Sequence, residues 1–148
     1  MARTIDSTLA DAELASRLRL AVMRLARRLR QQADGDVTPS QISALSSVDR
    51  LGPVTLGELS AVERVQPPTM TRIVAGLEEQ GLATREVDAK DRRVARVRLT
   101  VAGHRLLEQS RTRKNAFLAS RIRTLPTEDR EVLARAAELL ERLLETEE

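Results

Sequence analysis

The stretch LGELSAVERVQPPTMTRIVAGLEEQGLATREVDAKDRRVARVRL, residues 56–99, holds two helical repeats and then two alternating ones, and that order decides the fold. Thr55 stands ahead of it as an N-cap with Glu58 at capping-box spacing, which predicts a short helix from 56 to about 63. Leu59 and Val62 are its expected inward residues. Gln66-Pro67-Pro68 opens a further helix to about 80, because proline suits the first helical turn. Met70, Ile73, Val74 and Leu77 form its apolar stripe. Pro68, Arg72, Ala75 and Glu79 fall on the opposite face, flanked by Thr69 and Thr71. Gly81 stands where a helix end wants a left-handed residue.

From residue 82 the period shortens to two. Residues 82–87 and 94–99 are rich in β-branched and alternating side chains, with Ala95, Val97 and Leu99 on one face and Val94, Arg96 and Arg98 on the other. Asp88-Ala89-Lys90-Asp91-Arg92-Arg93 lies between them as the charged tip of a hairpin.

Helices flank this unit. Leu14, Leu18, Val22, Leu25 and Leu29 repeat at spacings of 4, 4, 3 and 4 and predict a long helix over 11–32, followed by a loop at Asp34-Gly35-Asp36. Thr38-Pro39 opens a second helix with Ile42, Leu45 and Val48 as its stripe, and Gly52-Pro53 ends it. Thr100 caps a fifth helix to about 124, with His104 in its first turn and Glu108 as that histidine's expected i,i+4 neighbour. Pro126 starts a sixth, from about 127 to 145. Its stripe includes Val132, Leu133, Leu139, Leu140, Leu143 and Leu144, which is broad for a helix ending a small chain and predicts a partner surface at Leu133, Leu140 and Leu144.

Composition narrows the function. The 148 residues suit one domain with one core. There is no Cys and a single His, so thiol chemistry and Cys-ligated zinc are excluded and no metal site is expected. No Trp or Tyr is present and Phe117 is the only aromatic residue, which excludes base stacking on an aromatic platform. Phe117 is expected to pack in the core or an interface. No nucleophile–base pair or Gly-rich phosphate loop occurs, so neither an enzyme nor a cofactor is expected. No apolar run reaches membrane-spanning length, and a soluble cytoplasmic protein without membrane contact is predicted. The net charge of +3 is uneven. Residues 1–60 carry 8 basic and 7 acidic groups, 61–114 carry 12 and 7, and 115–148 carry 5 and 8. The middle of the chain therefore presents a positive field to a polyanion.

Helix, short helix, polar-faced helix and basic hairpin follow each other as in a winged helix-turn-helix. The polar face of the fourth helix suits the DNA major groove, with Gln66, Pro68, Thr69, Thr71 and Arg72 near its start. Its N-terminus is expected to offer free N–H groups and the positive dipole end to a phosphate. Six basic residues, Arg85, Lys90, Arg92, Arg93, Arg96 and Arg98, line the hairpin. An arginine at so narrow a tip fits a minor groove, and Asp91 is placed to hold Arg93 extended. The plainer readings are an amphipathic helix with an ordinary polar face, a solvated turn guarding sheet edges, and a sixth helix that packs onto the first within one chain. A winged helix used for protein interaction is the alternative function.

Taken in this order and spacing, four pieces resemble the MarR-type multiple-antibiotic-resistance regulators over nearly the whole chain. They are Leu56-Gly57-Glu58-Leu59 through Pro68-Thr69-Met70-Thr71-Arg72-Ile73-Val74; Leu77-Glu78-Glu79-Gln80-Gly81-Leu82; Asp88 to Arg93; and Val97-Arg98-Leu99-Thr100-Val101-Ala102-Gly103. The resemblance implies a mostly α fold with a small β-hairpin wing and long terminal dimerisation helices. It implies a homodimeric regulator, usually a repressor, on a pseudo-palindromic operator in double-stranded DNA, relieved by a small aromatic or amphipathic effector. On that basis residues 37–100 form the DNA-binding core, and 1–36 and 101–148 the dimerisation helices. Pro68 to Arg72 match the DNA-reading helix start, and Arg92 or Arg93 the wing arginine. Two departures stand out. Gln66 replaces the usual hydroxyl residue before the helix, beside a doubled proline, and Lys90 stands where the family often has Arg.

Overall fold

Three threonines set where helices begin. Thr38 accepts the N–H of Gln41 at 3.2 Å, and the Gln41 side chain accepts the N–H of Thr38 at 2.9 Å. Thr55 and Glu58 form the same reciprocal pair at 3.1 and 3.0 Å. Thr100 accepts the N–H of Gly103 at 3.1 Å. Each satisfies donors that a helix start leaves orphaned. The computed structural model describes residues 2–32 and 36–145. Its elements are α1 (Ala2–Arg30), α2 (Pro39–Leu51), β1 (Val54–Thr55), α3 (Leu56–Glu63), α4 (Pro67–Glu79), β2 (Ala83–Val87), β3 (Ala95–Leu99), α5 (Val101–Ile122) and α6 (Thr127–Glu145).

Several boundaries differ from the sequence reading. Helix α1 begins at Ala2 rather than near residue 11, because residues 2–10 contain neither Gly nor Pro and nothing stops the helix where its apolar stripe stops. Helix α5 ends at Ile122, not near 124. Most of the expected loop at Asp34-Gly35-Asp36 lies outside the described residues. Strand β1 has no counterpart among the expected elements. Two residues are too few to show a period, and β1 exists because Val54 pairs with Val97 on β3. The sheet order is β1-β3-β2, antiparallel throughout.

The core lies between this sheet and α2, α3, α4 and the start of α5. Leu45, Leu59, Met70, Val74, Leu77, Val97 and Leu107 are all but inaccessible. Ile73 packs at its margin. Val62, expected inward, is exposed: α3 has only two turns, and the position facing the core beside Leu59 is Ser60, whose hydroxyl donates to Leu56 O at 2.7 Å. At the close of α3, Arg64 takes φ 53° and ψ 44°, and it is the one non-glycine residue with positive φ among the described residues. That conformation costs an L-residue roughly 1–2 kcal/mol.

The wing is pinned to α5 at its base. Thr100 Oγ1 donates to Gly81 O at 2.6 Å, and a Cβ on Gly103 would meet Leu82 O at 2.1 Å. Gly81 itself takes φ +70°, the left-handed residue predicted after α4. Because the obstruction at Gly103 is backbone, Gly103→Ala is expected to destabilise the protein by about 1–3 kcal/mol through overpacking. Urea melts of the two proteins measure this, and coincident midpoints would show that α5 can slide off the Leu82 carbonyl.

The terminal helices are less covered. On α1, Leu14, Leu18, Val22 and Leu25 remain exposed. Helix α6 buries no residue in the single chain, and Leu143 and Leu144 are 64% and 80% accessible. Arg130 fixes the turn into α6 by donating to Leu125 O at 3.0 Å and Arg123 O at 2.9 Å.

Candidate nucleic-acid interface

Helix α4 turns its apolar stripe inward and leaves Pro68, Thr71, Arg72 and Glu79 on the open face, with Thr69 half-buried. Gln66 is the N-cap residue but makes no side-chain cap bond. Arg72 forms no ion pair with any described residue. The Thr71 hydroxyl donates to Pro67 O at 3.0 Å, which leaves its oxygen only as an acceptor.

The expected phosphate cradle of free N–H groups at the start of α4 is absent. Pro67 and Pro68 have no N–H. The N–H groups of Thr69 and Met70 both donate to Gln66 O, at 2.9 and 3.1 Å. The dipole's positive end and the N–H of Gln66 remain there.

The wing closes through Asp88, to which the sequence alone assigns no role. Asp88 Oδ1 accepts the N–H groups of Lys90 at 2.8 Å and Asp91 at 3.3 Å, an Asx turn that shapes the tip. These bonds, helped by Arg96 at 3.6 Å, hold its carboxyl below the usual range. Asp91 receives Arg93 Nε at 3.1 Å, Arg93 Nη2 at 3.4 Å and the Arg93 N–H at 3.1 Å, which lowers its pKa as well. The guanidinium is thereby oriented while its side chain stays 91% exposed.

The wing's positive charge is smaller than a count of its arginines suggests. Arg85 pairs with Glu78 at 2.7 Å, Arg98 with Glu86 at 3.4 Å, and Arg96 with both Asp88 and Glu58. Lys90 and Arg92 are exposed and pair with no described residue. The structure therefore brings Lys90, Asp91, Arg92 and Arg93 together at the tip, and Gln66, Pro68, Thr69, Thr71 and Arg72 at the head of α4. Leu133, Leu140 and Leu144 lie apart from both, on α6.

Two further constellations leave no mark in the sequence because their members are far apart in the chain. Glu63 accepts the hydroxyls of Ser43, at 2.6 Å, and Ser47, clamping the end of α3 to α2. Asp49 accepts Arg111 Nη2 at 2.8 Å and faces His104 Nδ1 at 3.1 Å, joining α2 to α5. The Arg111 hydrogen bond is the main reason that the Asp49 carboxyl is held low. His104 thus faces Asp49 rather than Glu108, which neighbours Arg111 instead. Phe117 is half-buried, with Arg121 5.3 Å above its ring.

A cavity of about 350 Å³ opens where α1, α2 and α5 meet, lined by Arg30, Val37, Ile42, Ser43, Ser46 and Lys114 among others. None of its lining residues belongs to the wing. Lys114 lies 13 residues along α5 from Val101, roughly 20 Å from the wing's base. No group of three or more potential metal ligands occurs among the described residues. No described helix is long and apolar enough to cross a membrane.

The family model of the MarR family matches residues 37–95, the span from the loop before α2 into β3. An uncharacterised HTH-type transcriptional regulator of Mycobacterium leprae is 40% identical over 136 residues, covering 91% of this chain and 95% of that one. The chain belongs to the MarR family. A solved MarR family protein from Bacillus stearothermophilus superposes with a TM-score of 0.78 at 29% identity, over 91% of this chain and 95% of that one. An HTH-type transcriptional repressor of Bacillus subtilis is 29% identical over 112 residues, 76% of this chain and 72% of its own length. As a MarR-family chain, this protein is a winged-helix transcriptional regulator.

Proposed function

We propose that this MarR-family protein is a cytoplasmic homodimeric repressor, binding a pseudo-palindromic operator in double-stranded DNA and released from it by a small amphipathic effector. The observation that carries the DNA reading is the open face of α4, where Arg72 stands uncovered and unpaired beside the cationic wing tip. Gln66, Pro68, Thr69, Thr71 and Arg72 read the major groove, and Lys90, Arg92 and Arg93, with Asp91 as support, meet the adjacent backbone and minor groove. Residues 37–100 form this DNA-binding core. Residues 1–36 and 101–148 form the dimerisation helices, with Leu133, Leu140 and Leu144 in the interface. The repressor reading draws on the Bacillus subtilis relative.

The effector is an aromatic or amphipathic anion in the cavity between α1, α2 and α5. Arg30 and Lys114 offer positive charge there, and Val37 and Ile42 an apolar wall. Aromatic acids such as salicylate are the first probes.

The test begins with DNA selected from a randomised pool and with the intergenic DNA beside the protein's own gene. Half-sites are expected about ten base pairs apart, because a two-fold dimer presents both α4 helices to one face of the duplex. Arg72→Ala should weaken operator binding by roughly 1–3 kcal/mol per half-site. Affinity equal to wild type would strike Arg72 from the contacts. Absence of any salt-dependent DNA binding would favour a winged helix that binds protein.

A further inference from the structure

We infer that Arg64, in the turn between α3 and α4, is a DNA-backbone contact that reinforces the weakened phosphate site at the start of α4; the inference rests on the DNA-binding reading above. A helix that enters the major groove by its N-terminus ordinarily meets a phosphate there with free N–H groups. Here the first two helical positions are Pro67 and Pro68, and the N–H groups of Thr69 and Met70 are spent on Gln66 O. Gln66 adds no side-chain bond of its own. A phosphate arriving at this end finds the dipole and the N–H of Gln66 alone, where a helix start ordinarily offers several donors, so further donors have to come from side chains.

Arg64 is that side chain. It lies two residues before the N-cap of α4, is exposed, and makes no hydrogen bond or ion pair through its guanidinium with any described residue. Its nearest carboxylate in sequence, Glu63, is turned toward the hydroxyls of Ser43 and Ser47 and forms no ion pair with it. The backbone that carries it is held on both sides. The Arg64 N–H donates to Ala61 O at 3.2 Å, the Val65 N–H donates to Ser60 O at 3.0 Å, and Val65 packs against the core. The left-handed conformation at Arg64 is one that glycine would occupy without strain. Arginine there contributes nothing to the turn that glycine would not. What it adds is a permanently charged, long-reaching group on a rigid mount beside the groove-facing helix. Because a phosphate contact carries no sequence information, Arg64 acts on every duplex and not only on the operator.

Glycine also provides the clean test. Wild type, Arg64→Gly and Arg64→Lys are titrated by fluorescence anisotropy against a labelled mixed-sequence duplex about 30 base pairs long, roughly three turns of B-DNA, over a series of salt concentrations. Arg64→Gly should keep or raise the melting temperature, since it relieves the left-handed residue. It should lower affinity for this duplex about tenfold and flatten the salt slope by about one unit per arm. Arg64→Lys should retain most of the slope. Wild-type affinity and slope in Arg64→Gly would overturn the inference while leaving the DNA-binding reading intact. A loss seen only on operator DNA, with the slope unchanged, would also overturn it, by making Arg64 a base contact. If wild type itself binds no duplex at low salt, the DNA-binding reading fails and this inference with it.

Discussion

Leu143→Asp is expected to turn a dimer into a folded monomer that no longer holds its operator. Helix α6 buries nothing in the single chain, yet its stripe presents Leu133, Leu139, Leu143 and Leu144, each at least 43% accessible. Helix α1 leaves Leu14, Leu18, Val22 and Leu25 similarly bare. Apolar surface on this scale is what the proposed dimer would cover. An Asp buried unpaired in such an interface costs several kcal/mol. Leu143 is the informative position because it is 64% accessible in one protomer, so the new charge is solvated once the protomers part and the fold survives. A rise in the dimer dissociation constant of at least a hundredfold, about 3 kcal/mol, is expected by sedimentation, with the helical circular dichroism retained. Leu140, half-buried already, should give the same loss of dimer with a larger loss of stability. A Leu143→Asp protein that sediments as a stable dimer would remove α6 from the interface.

Arg93→Ala should produce the largest loss of DNA affinity among wing variants. The side chain projects from the tip, 91% exposed, and is aimed by two guanidinium contacts to Asp91, which also accepts the Arg93 backbone N–H. Arginine loses less hydration than lysine on entering a minor groove, where a narrow A·T-rich segment deepens the negative potential. Each arm should lose roughly 1–3 kcal/mol, and the salt slope should fall by about one unit per arm. The loss should be greater for A·T-rich than for G·C-rich flanks. Asp91→Ala should give a smaller version of the same loss, although it removes a negative charge near DNA. Tighter binding by Asp91→Ala would make Asp91 a repulsive charge only. A damaging Arg92→Ala with a silent Arg93→Ala would transfer the groove contact to Arg92. The pH dependence has a definite sign. The Asp91 carboxyl is held below its usual range by the Arg93 hydrogen bonds, so the pair stays intact above the ordinary carboxylate pKa and is lost only as pH falls through the lowered value. Wing affinity should therefore stay flat from neutral pH down to about 5.

The parts of the molecule written in local signals are legible in the amino-acid sequence. Thr38, Thr55 and Thr100 mark helix starts because a capping hydroxyl bonds to a backbone two or three residues away. The stripe Met70, Ile73, Val74, Leu77 and the left-handed Gly81 are equally local. The Asp91–Arg93 contact spans two residues and is readable for the same reason. Less legible are features whose partners lie elsewhere. Val62 falls at helical spacing from Leu59 yet points to solvent, since what decides burial is where α2 and the sheet stand. The arginines of β2 and β3 read as a positive ribbon, but Glu78, Glu86, Glu58 and Asp88 neutralise three of them across the strands and from neighbouring helices. Asp88 itself reads as one acid in a charged turn, and only the folded tip brings two N–H groups onto its carboxylate.

The chain alone determined the order of the six helices and the hairpin, the capped helix starts at Thr38, Thr55 and Thr100 and the winged helix-turn-helix class, since caps, periods and turns depend on residues within one or two turns of each other. Tertiary structure decided which charges remain unpaired and how tightly α5 passes the wing at Gly103. Those are distances between segments up to 62 residues apart, as between Asp49 and Arg111. Such distances follow from the packing of the whole core, and no local period encodes them.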